Sequence, residues 1–323
     1  MQYSKFAVDE TPWCVWEWDL HKQNLGFIES VDPQYFTYLA GSYANSPDDE
    51  QEHRAALALR AAYSHGLETL FAFLFAALQA PDCVIGWVHK YEIYNLKSLL
   101  DKVNHRQQIN NKVEIVSVSW KNIANALLLF VLDDKDKESR LKQHFAQLWQ
   151  RFADDFLEQS FTPEYNSIKH GFRAKSGSMK LAIGREDQPG IPALPQNMRM
   201  WGQSEFGSTF FTVEPLDQSK HNFRLLKHYR GWQLERFYIG LHLISDSLQN
   251  ILSFLKIANG VDPSTVEFVW PNPESLFEEP WKKHPSLGGI NMNSVILPEH
   301  ITPFTADEIL SVYNVDENDQ ITT

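Results

Sequence analysis

The sequence predicts a mainly α fold, a helical bundle with a small antiparallel β insertion. Three observations support this reading. Long stretches repeat apolar residues every three or four positions, which is the spacing of one helix face. A longer segment near residues 176–230 changes to alternation of apolar and polar residues. The order of helices, then a β excursion, then a helix also departs from the strand–helix alternation of a doubly wound sheet.

Residues 1–48 read as an irregular N-terminal arm. Trp13, Trp16 and Trp18 are interleaved with polar residues there, as in a short strand or an extended segment lying on a core. Ser46, Pro47 and the acids Asp48 to Glu50 then form a helix start. The helix runs to Ala80, with Leu59, Tyr63, Leu67, Leu70, Leu74 and Leu78 on its apolar stripe, and Pro81 stops it. A second helix is predicted over 84–104, with Val88, Tyr91, Leu96 and Leu99 turned inward. The β-branched run 113–118 suggests a short strand, and 121–131 a further helix. After a charged turn at 133–138, residues 140–156 place Leu141, Phe145, Leu148, Phe152 and Phe156 on one face. Residues 49–175 thus form the expected helical core.

In the β insertion and loop, 176–230, segments 178–184, 206–213 and 223–229 are expected to pair in one antiparallel sheet. The Pro-rich stretch 188–203 is read as an exposed surface loop. The final region, 231–323, opens with a long core helix over 233–256, striped by Phe237, Leu241, Ile244, Leu248 and Leu252. Asn259-Gly260 closes it, and an irregular C-terminal region follows. Helices 50–80, 139–158 and 233–256 should share one core, because an amphipathic helix alone is marginal in water. The four regions are expected to form one compact unit.

Hydrophobic residues are 43% and charged residues 22%, which excludes wholesale disorder. The formal net charge of −12 disfavours an extended nucleic-acid surface, which needs clustered Lys and Arg. Cys14 and Cys83 form no C-x-x-C pair, so cysteine supplies no zinc or redox motif; two thiols suit a reducing compartment. The first 20 residues lack the pattern of a signal peptide. The most apolar run, Leu67 to Ala80, is shorter than the roughly 20 residues a membrane span needs. The expected location is therefore the cytoplasm, with no membrane partner. No phosphate loop, nucleophile elbow or H-E-x-x-H is present, and no cofactor is implied.

The densest group of chemically able side chains is the run from Tyr165 to Arg173. Asn166 and His170 are four residues apart and share a helix face; Lys169 and Arg173 share the neighbouring one. Asn-x-x-x-His-Gly at the end of a helix resembles the HEPN domains, helical nucleotide-binding and ribonuclease modules of bacterial defence and toxin systems. Their motif is an Arg, then four to six intervening residues, then a His. Asn166 and His170-Gly171 match, but Tyr165 stands at the Arg position. The resemblance spans 50–170 and implies a catalytically degenerate module that binds nucleotide, RNA or a protein partner and self-associates as a homodimer. The shared helical face of Asn166 and His170, closed by Gly171, leads to the expectation that both lie near the bundle centre. Arg60 and His65 satisfy the same spacing in the first long helix.

Two alternatives come from other classes. One is a metal-independent ribonuclease using Arg60 with His65, or His170 with Arg173. The other is a metal-dependent helical-bundle enzyme. For that reading, His65 with Glu68 and His242 with Asp246 each place two potential ligands on one helix face. Glu68, among Leu67, Leu70, Phe71, Leu74 and Phe75, needs a partner for its charge.

Overall fold

The computed structural model describes residues 4–8, 11–16, 20–43, 49–109, 118–170, 173–186, 188, 190–191, 193–216, 223–294 and 305–313. The predicted helix cap at 46–48, Gly171 and nearly all of the predicted strand 113–118 lie outside the described residues.

Strands β1 (Ser4–Val8) and β2 (Thr11–Trp16) pair antiparallel. Helices α1 (Leu20–Ser30) and α2 (Tyr35–Tyr43) follow. The described residues of 1–48 therefore form strands and helices rather than an irregular arm. Among the described side chains, α1 buries Asn24 and Ile28, and α2 buries Phe36 and Ala40. Two buried positions per helix are too few to register as a periodic stripe.

Helix α3 (Asp49–Gln79) buries Leu59, Tyr63, Leu67, Leu70 and Leu74, as its spacing predicts. Residues 51–79 are long and apolar enough to cross a membrane, but most of that apolar surface lies inside the protein. The single helix predicted over 84–104 is two, α4 (Val84–Lys90) and α5 (Ile93–Asn104). The break falls at Tyr91-Glu92. The Glu92 backbone N–H there donates to the Asn95 side chain at 3.0 Å, so a local side-chain bond replaces helix continuation.

Helix α6 (Trp120–Leu127) starts on Ser119 and α7 (Lys135–Leu157) on Asp134; each cap side chain accepts a backbone N–H three residues on. The whole predicted stripe of α7 is buried. Helix α8 (Phe161–Lys169) leads into strands β3 (Ala174–Ser176), β4 (Met179–Ile183), β5 (Arg199–Ser204), β6 (Phe206–Pro215) and β7 (Phe223–Trp232). Helix α9 (Leu234–Ala258), strand β8 (Gly289–Ser294) and helix α10 (Ala306–Tyr313) complete the order.

The fold is mainly helical with an antiparallel β insertion, as expected, but the strands pair differently. One sheet runs β3-β6-β7-β8, and β4 pairs only with β5. Segment 178–184 thus leaves the sheet assigned to it and makes a local hairpin. The stretch 188–203, read as a loop, is largely exposed but contains a 3₁₀ turn and most of β5. The C-terminal region, read as irregular, supplies β8 and α10.

Helices α3, α7 and α9 share one hydrophobic core. At the centre, the Trp149 indole N–H of α7 donates to Ser247 Oγ of α9 at 3.1 Å. The far end of α9 closes on Gly260, whose φ of +87° a side chain would disfavour. Beside it, Asn24 and Asn259 bury their amides together. Both donate to the Pro81 carbonyl, and Asn24 Nδ2 also donates to Asn259 Oδ1 at 2.9 Å. Segments distant in sequence meet at this point.

Candidate functional site

The face of α3 opposite its core stripe carries Arg54, Ala58, Ala61, His65, Glu68 and Ala72, about one per helical turn. The alanines keep the floor low. Taller side chains rise around it: Tyr35, Leu39 and Tyr43 from α2, Val88, Tyr91 and Leu96 from the α4–α5 region, and Tyr165, Ile168 and Lys169 from α8. The result is a predominantly apolar groove of about 1100 Å³.

Four of its polar side chains, His65, Glu68, Tyr165 and Lys169, gather on one rim. The Lys169 ammonium lies 5.5 Å from the centre of the Tyr165 ring, within cation–π range. Burial lowers the pKa of His65; Lys169 lowers it further and Glu68 opposes them. Burial, helped by the Glu68 charge, pushes the Tyr165 phenol up to about 12, so it is a neutral hydrogen-bond donor at neutral pH. The His65 ring also meets Phe36 edge-on at 5.4 Å. The sequence pairs His65 with Glu68 on one helix face and offers Lys169, Arg173 or a histidine as the partner of Glu68; the fold brings Lys169 to them. The sequence reading took Tyr165 only as a missing Arg, and it missed the α2 tyrosines and Tyr91. The signal that could have found the groove is the run of alanines at 58, 61 and 72 on one face.

Arg60 lies elsewhere. It points into the protein, where its Nε and Nη2 donate to Glu164 Oε2 at 2.9 and 2.7 Å, and both residues are buried. The rings of Phe161 and Phe237 flank the guanidinium at 5.0 and 5.3 Å. Glu164 Oε1 accepts from Ser208 Oγ of β6 and from the Trp232 indole of β7 at 3.0 Å. Beside this pair, Tyr63 donates to Asp155 at 2.6 Å, and Arg236 is paired with the same carboxylate. Arg60 thus clamps the β insertion onto the helices and is committed to a carboxylate. The Arg60–His65 pairing of the ribonuclease reading does not form a common site.

Asn166, His170 and Arg173 are all exposed, so the expected placement of Asn166 and His170 near the centre is overturned. Helix α8 buries its other face, through Phe161, Glu164, Tyr165 and Ile168. His170 ends the helix, with its backbone N–H donating to Asn166 O at 2.9 Å. Asn166 and His170 do not line the groove.

His242 and Asp246 are on α9 and do not join His65 and Glu68 in the groove. Among the described residues, no group of three His, Cys, Asp or Glu side chains is arranged to hold a metal ion. Burial pushes the Asp246 carboxyl up to about 6. A raised carboxyl pKa means that the folded chain binds a proton the unfolded chain releases near pH 4. Stability is therefore lost as pH rises from about 4 through about 6. Asp246→Asn removes this loss and is expected to stabilise the protein by about 1–2 kcal/mol at pH 7. Urea unfolding at pH 7 and pH 4 checks this: the gain should shrink at the lower pH.

No family model, no curated protein and no solved structure matches this chain.

Proposed function

We propose that the protein is a binding module whose ligand occupies the α3 groove: a nucleotide-sized molecule with a flat apolar body and one anionic group. The observation that carries this is the groove itself, apolar on its floor and walls, with Lys169, Tyr165 and His65 gathered on one rim. Pockets of this size, largely apolar with a few convergent polar groups, are the usual form of a small-molecule site. The tyrosines suit a planar body and the Lys169 ammonium suits an anion. A mononucleotide is the member of this class that the HEPN resemblance implies, and α3, α7 and α9 would be the bundle of that module.

A long RNA fits less well. The lining carries two Lys or Arg side chains against Glu68, and the whole chain carries −12. A polyanion needs more positive charge than that. Ribonuclease activity is disfavoured too, since Arg60 is committed to Glu164 and Tyr165 replaces the motif Arg.

The test is thermal-shift and calorimetric titration with a panel of purine and pyrimidine mononucleotides and a short single-stranded RNA. One mononucleotide is expected to bind and to lose at least about tenfold in affinity in Lys169→Ala, given the worth of a charged hydrogen bond. Ala58→Trp, which fills the floor, should remove binding without lowering the melting temperature. No binding by any mononucleotide, or binding unchanged in both variants, would overturn the reading. Metal-independent RNA cleavage lost in His65→Ala would replace it with a nuclease.

A further inference from the structure

The β sheet holds a second constellation, independent of the groove. In the β6–β7 register Phe210 faces His228 and Thr212 faces Leu226; in the β7–β8 register His228 faces Asn291. Side chains alternate along strands, so Thr212, His228 and Asn291 share the sheet face that also bears Ser208 and Phe210. Thr212 Oγ1 is 2.7 Å from His228 Nε2, and His228 Nδ1 is 3.0 Å from Asn291 Oδ1. Arg230 Nη1 reaches the same Oδ1 at 2.9 Å.

These contacts assign the protons. A guanidinium only donates, so the amide atom facing Arg230 must be the oxygen. That oxygen only accepts, so His228 Nδ1 must carry a proton. Neutral His228 then presents a lone pair at Nε2, and the hydrogen in the 2.7 Å contact belongs to the Thr212 hydroxyl. The imidazole cannot turn freely, because its face stacks on the fully buried Phe210 at 4.9 Å and 16°. Thr212 and His228 are half-buried and Asn291 is exposed, so the hydroxyl is within reach of a solute.

A hydroxyl bonded to a base, with the base oriented by a third group, is the geometry of an activated nucleophile. We propose that Thr212, His228 and Asn291 form an acyl-transfer site that hydrolyses small esters. Thr212 Oγ1 bonds to the ester carbonyl carbon as its proton passes to His228 Nε2. The carbon–oxygen bond to the leaving group breaks, and the alkoxide takes that proton. Water then attacks the acyl-threonine, gives a proton to His228, and the acid leaves as the proton returns to Thr212. The sum is ester plus water to acid plus alcohol. Asn291 is a positioning residue that holds the tautomer. Arg224 and Arg230 share this face, Arg224 paired with the Glu214 carboxylate at 2.6 Å and Arg230 bonded to Asn291 Oδ1 and the Tyr229 carbonyl.

The test uses the full chain with p-nitrophenyl acetate. The expected result is a burst of p-nitrophenolate and one acetyl group mapped by peptide mass spectrometry to Thr212. Thr212→Val and His228→Gln should each lower the rate by about 100-fold or more. Thr212→Ser should keep it, which separates chemistry from misfolding. Asn291→Ala should lower the rate and change its pH profile. Acetylation only at lysines, Lys227 included, or a rate unchanged in Thr212→Val, would overturn the proposal.

Discussion

Glu164→Ala is expected to destabilise the protein by about 3–5 kcal/mol, the cost of leaving a buried charge without its partner. The Arg60 guanidinium would stay enclosed between Phe161 and Phe237 with two donors unanswered. The Ser208 hydroxyl and Trp232 indole would lose their acceptor in the same step. Because Glu164 ties α3 and α8 to β6 and β7, the loss should loosen the β insertion first. Urea unfolding gives the magnitude, and amide hydrogen exchange over 206–232 gives the location. The double variant Arg60→Met, Glu164→Leu should recover most of the loss, since a buried ion pair replaced whole by apolar side chains is often neutral. A loss below about 1 kcal/mol in Glu164→Ala would show that the pair is not the clamp described here.

Gly231→Ala should cost about 3 kcal/mol, the upper end of the usual range for forcing atoms into a filled site. Gly231 faces Gly207 across the β6–β7 pair. A Cβ on Gly231 would strike the Leu287 carbonyl oxygen and approach Ser204 Cβ to 2.8 Å. A Cβ on Gly207 would strike the Arg230 carbonyl oxygen. Backbone atoms cannot swing away as a flexible side chain does, so the strands themselves must shift. Gly177→Ala is the control: nothing lies within 4 Å of its added Cβ, and its unfolding midpoint should hardly move. Equal midpoints for Gly231→Ala and Gly177→Ala would refute the argument from close approach.

The helices were legible where the stripe was long. Five apolar positions on α7 and six on α3 are legible from spacing; all are buried except Leu78, which is half-buried. Helices α1 and α2 were not legible, because among the described side chains each fully buries only two. Strand β8, Gly-Ile-Asn-Met-Asn-Ser, has little β-branched character and takes its conformation from pairing with β7. The assignment of β4 to the larger sheet failed because alternation marks a strand but does not name its partner.

The candidate groove was half legible. His65 and Glu68 lie on one helix, and three-residue spacing shows that they share a face. Lys169 is about a hundred positions further on, and only the packing of α8 brings it to the same rim. Arg60 was misread for the same reason: its partner Glu164 is 104 residues away, and nothing local reveals that the guanidinium turns inward.

The amide knot at Pro81 has a consequence for synthesis. Asn24 and Asn259 are separated by 235 residues. A chain leaving the ribosome exposes α1 early, at about 5–20 residues per second. The partner that completes the buried bonding of Asn24 emerges only after the β6–β7 hairpin and all of α9. Until then the Asn24 amide has only its bonds to the α3–α4 turn, donating to the Pro81 carbonyl and accepting from the Ile85 N–H, so α1 docks there without the cover that Asn259 supplies in the finished protein. The lock on α1 is thus completed only when α9 has been made, 235 residues after Asn24.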